Sequence, residues 1–300
     1  MSAAPPGTFE AKAHAKLNLF LHVVGRRPDS YHLLDSLIAF ASVHDTVAAR
    51  PGRGLTLKID GPFGVALSDA GGDNLVLKAA RGLAALTGRD ADAALTLTKR
   101  LPIASGIGGG STDAAATLRV LSRLWRVSPE PAALRGLALS LGADVPMCLE
   151  GLAARVGGIG EEIDPVSALP EIGLLLVNPL VAVPTPAVFK ARRGDFSNPA
   201  GSMSATASLD DLVKYLSGTR NDLEAPARAI APVIDDVLSA IGGLAGCHLA
   251  RMSGSGATCF GLFASEELAR HSGDALALTQ PHWWVAPGRL LSDTISCEAG

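Results

Sequence analysis

Apolar and polar positions alternate from Phe9 onward. Phe9, Ala11, Ala13, Ala15, Leu17, Leu19, Leu21 and Val23 are apolar, and Lys12, His14, Lys16, Asn18 and His22 fall between them, with Phe20 the exception. A period of two predicts a strand with one face in the core. Lys16 and Asn18 then share the other face, about 7 Å apart along the strand. Gly25–Asp29 reads as a turn, Tyr31 and His32 follow it, and a second apolar run covers Leu33–Val47. Leu55, Leu57 and Ile59 alternate again as a strand closed by Gly61-Pro62. The period then changes: Leu75, Ala79, Leu83 and Leu86 lie near helical spacing and predict a helix over Asn74–Leu86. Leu95, Leu97 and the threonines between them predict the strand that feeds the next segment.

That segment, Pro102–Asp113, crowds Gly106, Gly108, Gly109 and Gly110 together and continues into Ser111, Thr112 and Asp113. The run after it, Ala114–Trp125, predicts a helix that begins near Ser111, a good N-cap. Glycine lets consecutive N–H groups turn toward one anion, and the helix start adds unpaired N–H groups and the positive end of its dipole. A glycine-rich loop opening a helix is a phosphate site. A lysine-bearing P-loop is excluded, because Gly110 stands where the lysine belongs. A dinucleotide fingerprint fits poorly: Ser111 stands where its third glycine belongs, and no second strand with an acidic residue follows the helix. The remaining competitor is a plain strand-to-helix turn.

Further on, Ser128-Pro129 predicts a helix start, Leu134, Leu137, Ala138 and Leu141 an apolar stripe, and Gly142 the stop. Asp144 comes just beyond, and Pro146 biases Val145 toward an extended shape. Gly151–Val166 reads as a hairpin, Leu174–Val177 as a buried strand, and Arg192–Ser208 as a polar, mobile loop. Asn221–Glu224 opens a helix with an acidic first turn. His248–Met252, a turn over Ser253–Gly256 and Ala257–Phe263 read as strand, turn and strand, followed by a helix from Ser265 and a last strand over His282–Ala286. This order predicts a small α+β second domain, with the division near residue 165: a first domain over 1–165 and a second over 166–300.

Composition narrows the function classes. The chain has 300 residues, a net charge of −3, no basic block and 4% aromatic residues, so nothing supports nucleic-acid binding. Cys148, Cys247, Cys259 and Cys297 are scattered, without metal-ligand spacing, and read as reduced thiols of a cytoplasmic protein. No signal core opens the sequence, and no apolar window is long enough for a membrane span.

Three separated motifs, Ala15–Val23 (AKLNLFLHV), Pro102–Ala115 (PIASGIGGGSTDAA) and Ser253–Phe260 (SGSGATCF), resemble the signature motifs of the GHMP small-molecule kinases. The resemblance implies a two-domain α+β GHMP kinase fold. Its N-terminal βα domain would carry the phosphate loop, and its C-terminal α+β domain would be ferredoxin-like. Gly25–Leu37, Leu141–Pro146 (LGADVP), Pro184–Phe189 (PTPAVF) and Asn221–Glu224 (NDLE) are similar to a narrower group. That group phosphorylates a CDP-linked methylerythritol in the non-mevalonate isoprenoid route. Two positions depart from its pattern: Ser30 stands where glycine is usual, and Thr112 where serine is commoner.

The resemblance implies ATP-dependent phosphorylation of the 2-hydroxyl of that substrate. Asp144 would take the hydroxyl proton, and Lys16 would keep the carboxylate ionised and offset developing charge. ATP would lie against Lys99 and against Pro102, Ile103, Ala104, Ser105, Gly106, Ile107, Gly108, Gly109, Gly110, Ser111 and Thr112. Asn18 would touch the substrate, and Tyr31, His32 and Phe189 would hold its cytosine. The Ser253–Gly256 turn competes as a second phosphate contact or a plain hairpin turn. Mg2+ is expected with ATP, but no residue is assigned as a metal ligand. The expected partners are the two small molecules, with no nucleic acid and no membrane, and the chain is expected as a monomer or weak homodimer. The rivals are a mevalonate- or homoserine-type kinase, a nucleotide-binding oxidoreductase and a non-catalytic nucleotide-binding regulator.

Overall fold

The alternating N-terminal stretch forms β1 (Phe9–Arg26), and the run after the turn forms β2 (His32–Arg50), its antiparallel partner. The structure is a computed structural model that describes residues 7–65, 67, 74–166, 169–203 and 208–295. In the turn between the two strands Ser30 has φ +75°, the left-handed region that glycine enters without steric cost. Three register shifts interrupt the ladder, at His14/Lys16, Asn18/Phe20 and Val23/Gly25. Such shifts reverse the face that the following side chains take, which is why Phe20 breaks the alternation. The strand is therefore buried on both faces from Ala13 to Val23, with Lys16 and Asn18 inside.

Ten strands form one sheet among the described residues. β3 (Leu55–Asp60) runs parallel to β4 (Ala93–Thr98), which pairs antiparallel with β2. The hairpin expected after Gly151 is present as β5 (Ala154–Gly157) and β6 (Glu162–Pro165), laid against β2 at Ser36–Ile38. Beyond β2 the order is β10 (Trp284–Leu291), β7 (Gly173–Asn178), β9 (Cys259–Phe263) and β8 (Leu249–Met252). β10 pairs antiparallel with both β2 and β7, so the last strand stitches the two halves together.

Helices α1 (Leu75–Thr87), α2 (Gly109–Trp125), α3 (Pro131–Leu141) and α4 (Val145–Glu150) cover the first half. Leu83, Leu97, Leu118 and Leu121 are fully buried between them and the sheet. α5 (Thr185–Ala191) and α6 (Leu209–Ser217) follow, and α7 (Glu224–Ile230), α8 (Val233–Gly242) and α9 (Glu266–Thr279) complete the second half. β8, β9, α9 and β10 come in the expected strand–strand–helix–strand order, the ferredoxin-like α+β half of the fold. Among the described residues no helix is long and apolar enough to cross a membrane.

Three expectations change. The helix after the glycines starts at Gly109 with Gly108 as its cap, so Ser111 lies within the first turn. The next helix is capped by Glu130, whose carboxylate accepts from the Ala133 N–H, not by Ser128. Val145 and Pro146 open α4 instead of extending: proline suits the first helical turn, where its missing N–H has no partner to lose. Of the Arg192–Ser208 stretch, residues 204–207 lie outside the described residues, as does Cys297. The remainder has anchors: Ser197 N–H donates to Val23 O at 2.9 Å, and Ala200 N–H to Asp35 Oδ2 at 2.6 Å.

One edge of β1 meets β2. Among the described residues the other edge meets only an isolated bridge at Asn221. Its buried main-chain groups are satisfied by other parts of the chain. Lys16 N–H donates to Ile107 O at 2.9 Å, Asn18 N–H to Ser253 Oγ at 3.1 Å and Val23 N–H to Asp222 Oδ2 at 2.7 Å. The buried guanidinium of Arg251 donates to Leu19 O, and also to Leu216 O, Thr219 O and Thr219 Oγ1. Replacing Arg251 with methionine strands these acceptors in a dry interior, so unfolding by urea should show a loss of about 3 kcal/mol or more.

Candidate active site

The loop between β4 and α2 enters the left-handed region at Ala104 (φ +50°), Gly106 (φ +76°) and Gly108 (φ +65°). Gly106 is packed backbone to backbone against the Ser253–Gly256 turn. A Cβ there would lie 2.7 Å from the carbonyl oxygens of both Ser253 and Gly256. Ser253 Oγ donates to Gly106 O at 3.1 Å, and Thr258 N–H donates to Ser105 O at 3.1 Å. The two glycine-rich turns, far apart in sequence, thus brace each other. No side chain caps α2. The first-turn amides of Gly109, Gly110 and Ser111 consequently have no partner within the helix and carry the positive end of its dipole.

These amides open into a cavity of about 1140 Å³, walled also by Lys16, Asn18, Asp144, Tyr31, His32 and Phe189. Lys16 comes from β1 and Asp144 from the corner between α3 and α4, yet Lys16 Nζ donates to Asp144 Oδ2 at 3.0 Å. The lysine side chain is 6% exposed and the aspartate 44%, so the ammonium is held inside and the carboxylate faces the cavity. Asn18 Nδ2 donates to Ser36 Oγ at 2.8 Å, and Ser36 in turn donates to Phe20 O.

The other expected contacts are placed unevenly. Ala104, Ser105, Gly106, Gly108, Gly109, Gly110 and Ser111 line the cavity. Ser105 Oγ is spent on Pro102 O at 2.7 Å and Thr112 Oγ1 on Gly109 O at 3.0 Å, so both hydroxyls shape the loop. Ile107 is fully buried and contributes its carbonyl to β1. Pro102 and Ile103 wall a second cavity of about 220 Å³ with Asn74, Leu75, Val76 and Lys99. Gly109 and Gly110 line both cavities.

Lys99 is not open to a ligand phosphate as a free cation. Its ammonium is clamped by Asp45 Oδ2 at 2.5 Å and Asp113 Oδ2 at 2.6 Å, all three side chains being buried. Burial alone would depress the Lys99 pKa, but the two carboxylates reverse this and hold it above its ordinary value. Asp45 Oδ1 also accepts from the N–H groups of Arg100 and Leu101, fixing the first step of the loop. Neither aspartate stood out as a site residue in sequence. An acid inside the apolar run of β2 was the available signal for Asp45.

The aromatic wall differs from a simple slot between Tyr31 and Phe189. The rings of His32 and Phe189 stack on each other, with centroids 4.9 Å apart and planes inclined by 23°, while Tyr31 stands 61% exposed at the rim. Burial, then Arg26 and Arg192, lower the His32 pKa and keep its ring neutral. α5, which carries Phe189, is tied to the Ser253–Gly256 turn by Thr185 Oγ1 and Ser255 Oγ at 2.7 Å. A basic rim of Arg26, Lys190, Arg192 and Arg193, not anticipated from sequence, lines the same cavity. Among the described residues no group of three His, Cys, Asp or Glu side chains could cage a metal ion.

Two family models match the chain: the GHMP kinases N terminal domain over residues 74–152 and the GHMP kinases C terminal domain over residues 191–277. Fold and site together define a GHMP kinase. A curated 4-diphosphocytidyl-2-C-methyl-D-erythritol kinase of Rhodospirillum rubrum is 54% identical over 287 residues, covering 96% of this chain and 94% of the relative. The protein of that name from Paramagnetospirillum magneticum is 52% identical, covering 95% and 99%. A crystal structure of 4-(cytidine 5'-diphospho)-2C-methyl-D-erythritol kinase superposes with a TM-score of 0.77 at 33% identity, covering 94% of this chain and 99% of that one. The chain belongs to the 4-diphosphocytidyl-2-C-methyl-D-erythritol kinase family.

The bracing of the two turns gives a direct test. Gly106→Ala forces a Cβ into two carbonyls and a side chain into the left-handed region, so chemical denaturation should reveal a stability loss of about 2 kcal/mol.

Proposed function

We propose that the protein transfers the γ-phosphoryl group of ATP to the 2-hydroxyl of 4-diphosphocytidyl-2-C-methyl-D-erythritol. The observation that carries this reading is the Lys16–Asp144 pair, 3.0 Å apart, opening into the same cavity as the uncapped first turn of α2. Phosphoryl transfer runs through a loose transition state, so a kinase mainly positions its substrates and neutralises charge.

The amides of Gly109, Gly110 and Ser111 hold the triphosphate. Asp144 orients the acceptor hydroxyl and takes its proton as the oxygen attacks phosphorus. Lys16 holds Asp144 in place by its hydrogen bond and faces the charge that builds on the transferring group. Because Lys16 is almost fully buried, its ammonium acts where water screens it least. Asn18, held by Ser36, lines the acceptor end. The smaller cavity, apolar at Leu75, Val76, Pro102 and Ile103 with the polar Asn74 at its wall, takes the adenine. Among the described residues no group of three His, Cys, Asp or Glu side chains could cage a metal ion, and Mg2+ is expected to arrive bound to the triphosphate.

The size of the main cavity and its rim favour a nucleoside-diphosphate acceptor over a small alcohol. About 1140 Å³ exceeds what mevalonate or homoserine fills, and Arg26, Lys190, Arg192 and Arg193 match a diphosphate. Tyr31 and the His32–Phe189 pair offer faces on which a cytosine stacks.

With ATP and magnesium, the purified protein should release ADP with the CDP-linked methylerythritol and not with mevalonate or homoserine. Phosphorylation of mevalonate alone would overturn the reading. Asp144→Ala should leave ATP affinity within about threefold, by calorimetric titration, while lowering turnover at least about a hundredfold.

A further inference from the structure

Beneath the phosphate loop lies a charged cluster that the chemistry above does not use. Asp45 of β2, Lys99 at the end of β4 and Asp113 of α2 touch one another, with side chains 0%, 3% and 4% exposed. Two carboxylates and one ammonium leave one negative charge if all are ionised. An uncompensated charge in a dry interior is costly.

The two carboxylates differ. Asp45 directs both oxygens at donors: the Arg100 and Leu101 amides on one side and Lys99 on the other. Asp113 gives Oδ2 to Lys99, but its Oδ1 is buried without any partner. A proton on that oxygen removes the excess charge. Burial raises the Asp113 pKa to about 7; Lys99 opposes this and Asp45 adds to it. Among the described residues, Lys99 and Asp45 are the charged groups facing it. Among the described residues, the α1 cap brings Asn74, Leu75 and Val76 to the shared cavity. On the α4 side the Cys148 thiol is held protonated by burial, its pKa pushed up to about 12.

The cluster also sits directly under the anion site. A Cβ on Gly109 would lie 3.0 Å from Lys99 Nζ and 4.0 Å from Asp45 Oδ2. An anion on the first turn of α2 therefore meets the field of the cluster across the thickness of one glycine.

We propose that Asp113 is a positioning residue for the nucleotide: docking of the triphosphate draws a proton from solvent onto Asp113 Oδ1, so that Lys99 and the α2 dipole act on the phosphates unopposed. The inference rests on the ATP reading above. Its sign follows from linkage: if the neutral form binds the anion better, binding takes up a proton, and affinity falls as pH rises through 7.

The test is calorimetric titration of the full-length protein with MgATP at pH 7.5 in two buffers of different ionisation heat. The wild type should take up as much as roughly three quarters of a proton per ATP, the share still missing from a group titrating near 7. MgATP is already almost fully deprotonated at pH 7.5, and an electropositive site holds it so, so the ligand itself takes up no proton. Asp113→Asn should abolish the uptake, bind MgATP at least about fivefold more tightly than wild type at pH 8.5, and match it within about twofold at pH 6. Wild-type binding without proton uptake overturns the inference even if the variant fails to fold, and so does the same pH slope in both proteins. No ATP binding by the wild type would instead overturn the functional reading on which it rests.

Discussion

The outer edge of β1 is the constraint on which the site depends. A buried strand must satisfy its main-chain groups, and β1 is buried from Ala13 to Val23 with no strand beside that edge among the described residues. The partners it finds are functional segments. Ile107 of the phosphate loop takes the Lys16 amide, Ser253 of the second turn takes the Asn18 amide, and Asp222 takes the Val23 amide. Loops of this kind are ordinarily free to drift. Here each is indexed to one residue of a strand already locked to β2. The Lys16 ammonium therefore stands at a fixed offset from the loop, because its own backbone holds that loop.

Glycine makes the second half of this arrangement possible. Gly106 lets loop and turn meet backbone to backbone, so the two close without a side chain between them. A glycine gives up more chain entropy on folding than any other residue. The contacts of Ser253 Oγ with Gly106 O and of Thr258 N–H with Ser105 O offset that cost. The result is a braced cradle whose uncapped first turn of α2 lines the cavity, the preorganisation that charge stabilisation requires.

Much of this was legible in the chain. Period two located β1 and β3, helical spacing located α1, and the glycine cluster marked the loop ahead of α2. What escaped was set by contacts distant in sequence or by local competition. The β1 bulges depend on the pairing with β2, which no local period encodes. Gly108 displaced Ser111 as the helix cap because the left-handed turn ends one residue before the helix begins. Val145 could be helical because Pro146 sits in a first turn, a setting that overrides its bias on the preceding residue. The stacking of His32 on Phe189 joins residues 157 positions apart (189 − 32), and neither carries a mark of the other.

Lys16 and Lys99 show where such reading stops. Lys16 lies inside β1 and Lys99 just past the end of β4, and each borders the same loop. Their environments differ in one countable way. Lys16 meets one carboxylate that is half open to the cavity, so the pair retains a surface on which a substrate hydroxyl can sit. Lys99 meets two carboxylates that are buried with it, so its charge is largely spent within the protein and reaches the first turn of α2 as a field through Gly109. A buried ammonium with a single exposed partner is available for chemistry, and one with two buried partners is available for architecture. The partners at Asp144, Asp45 and Asp113 decide which, and the fold alone brings them into place.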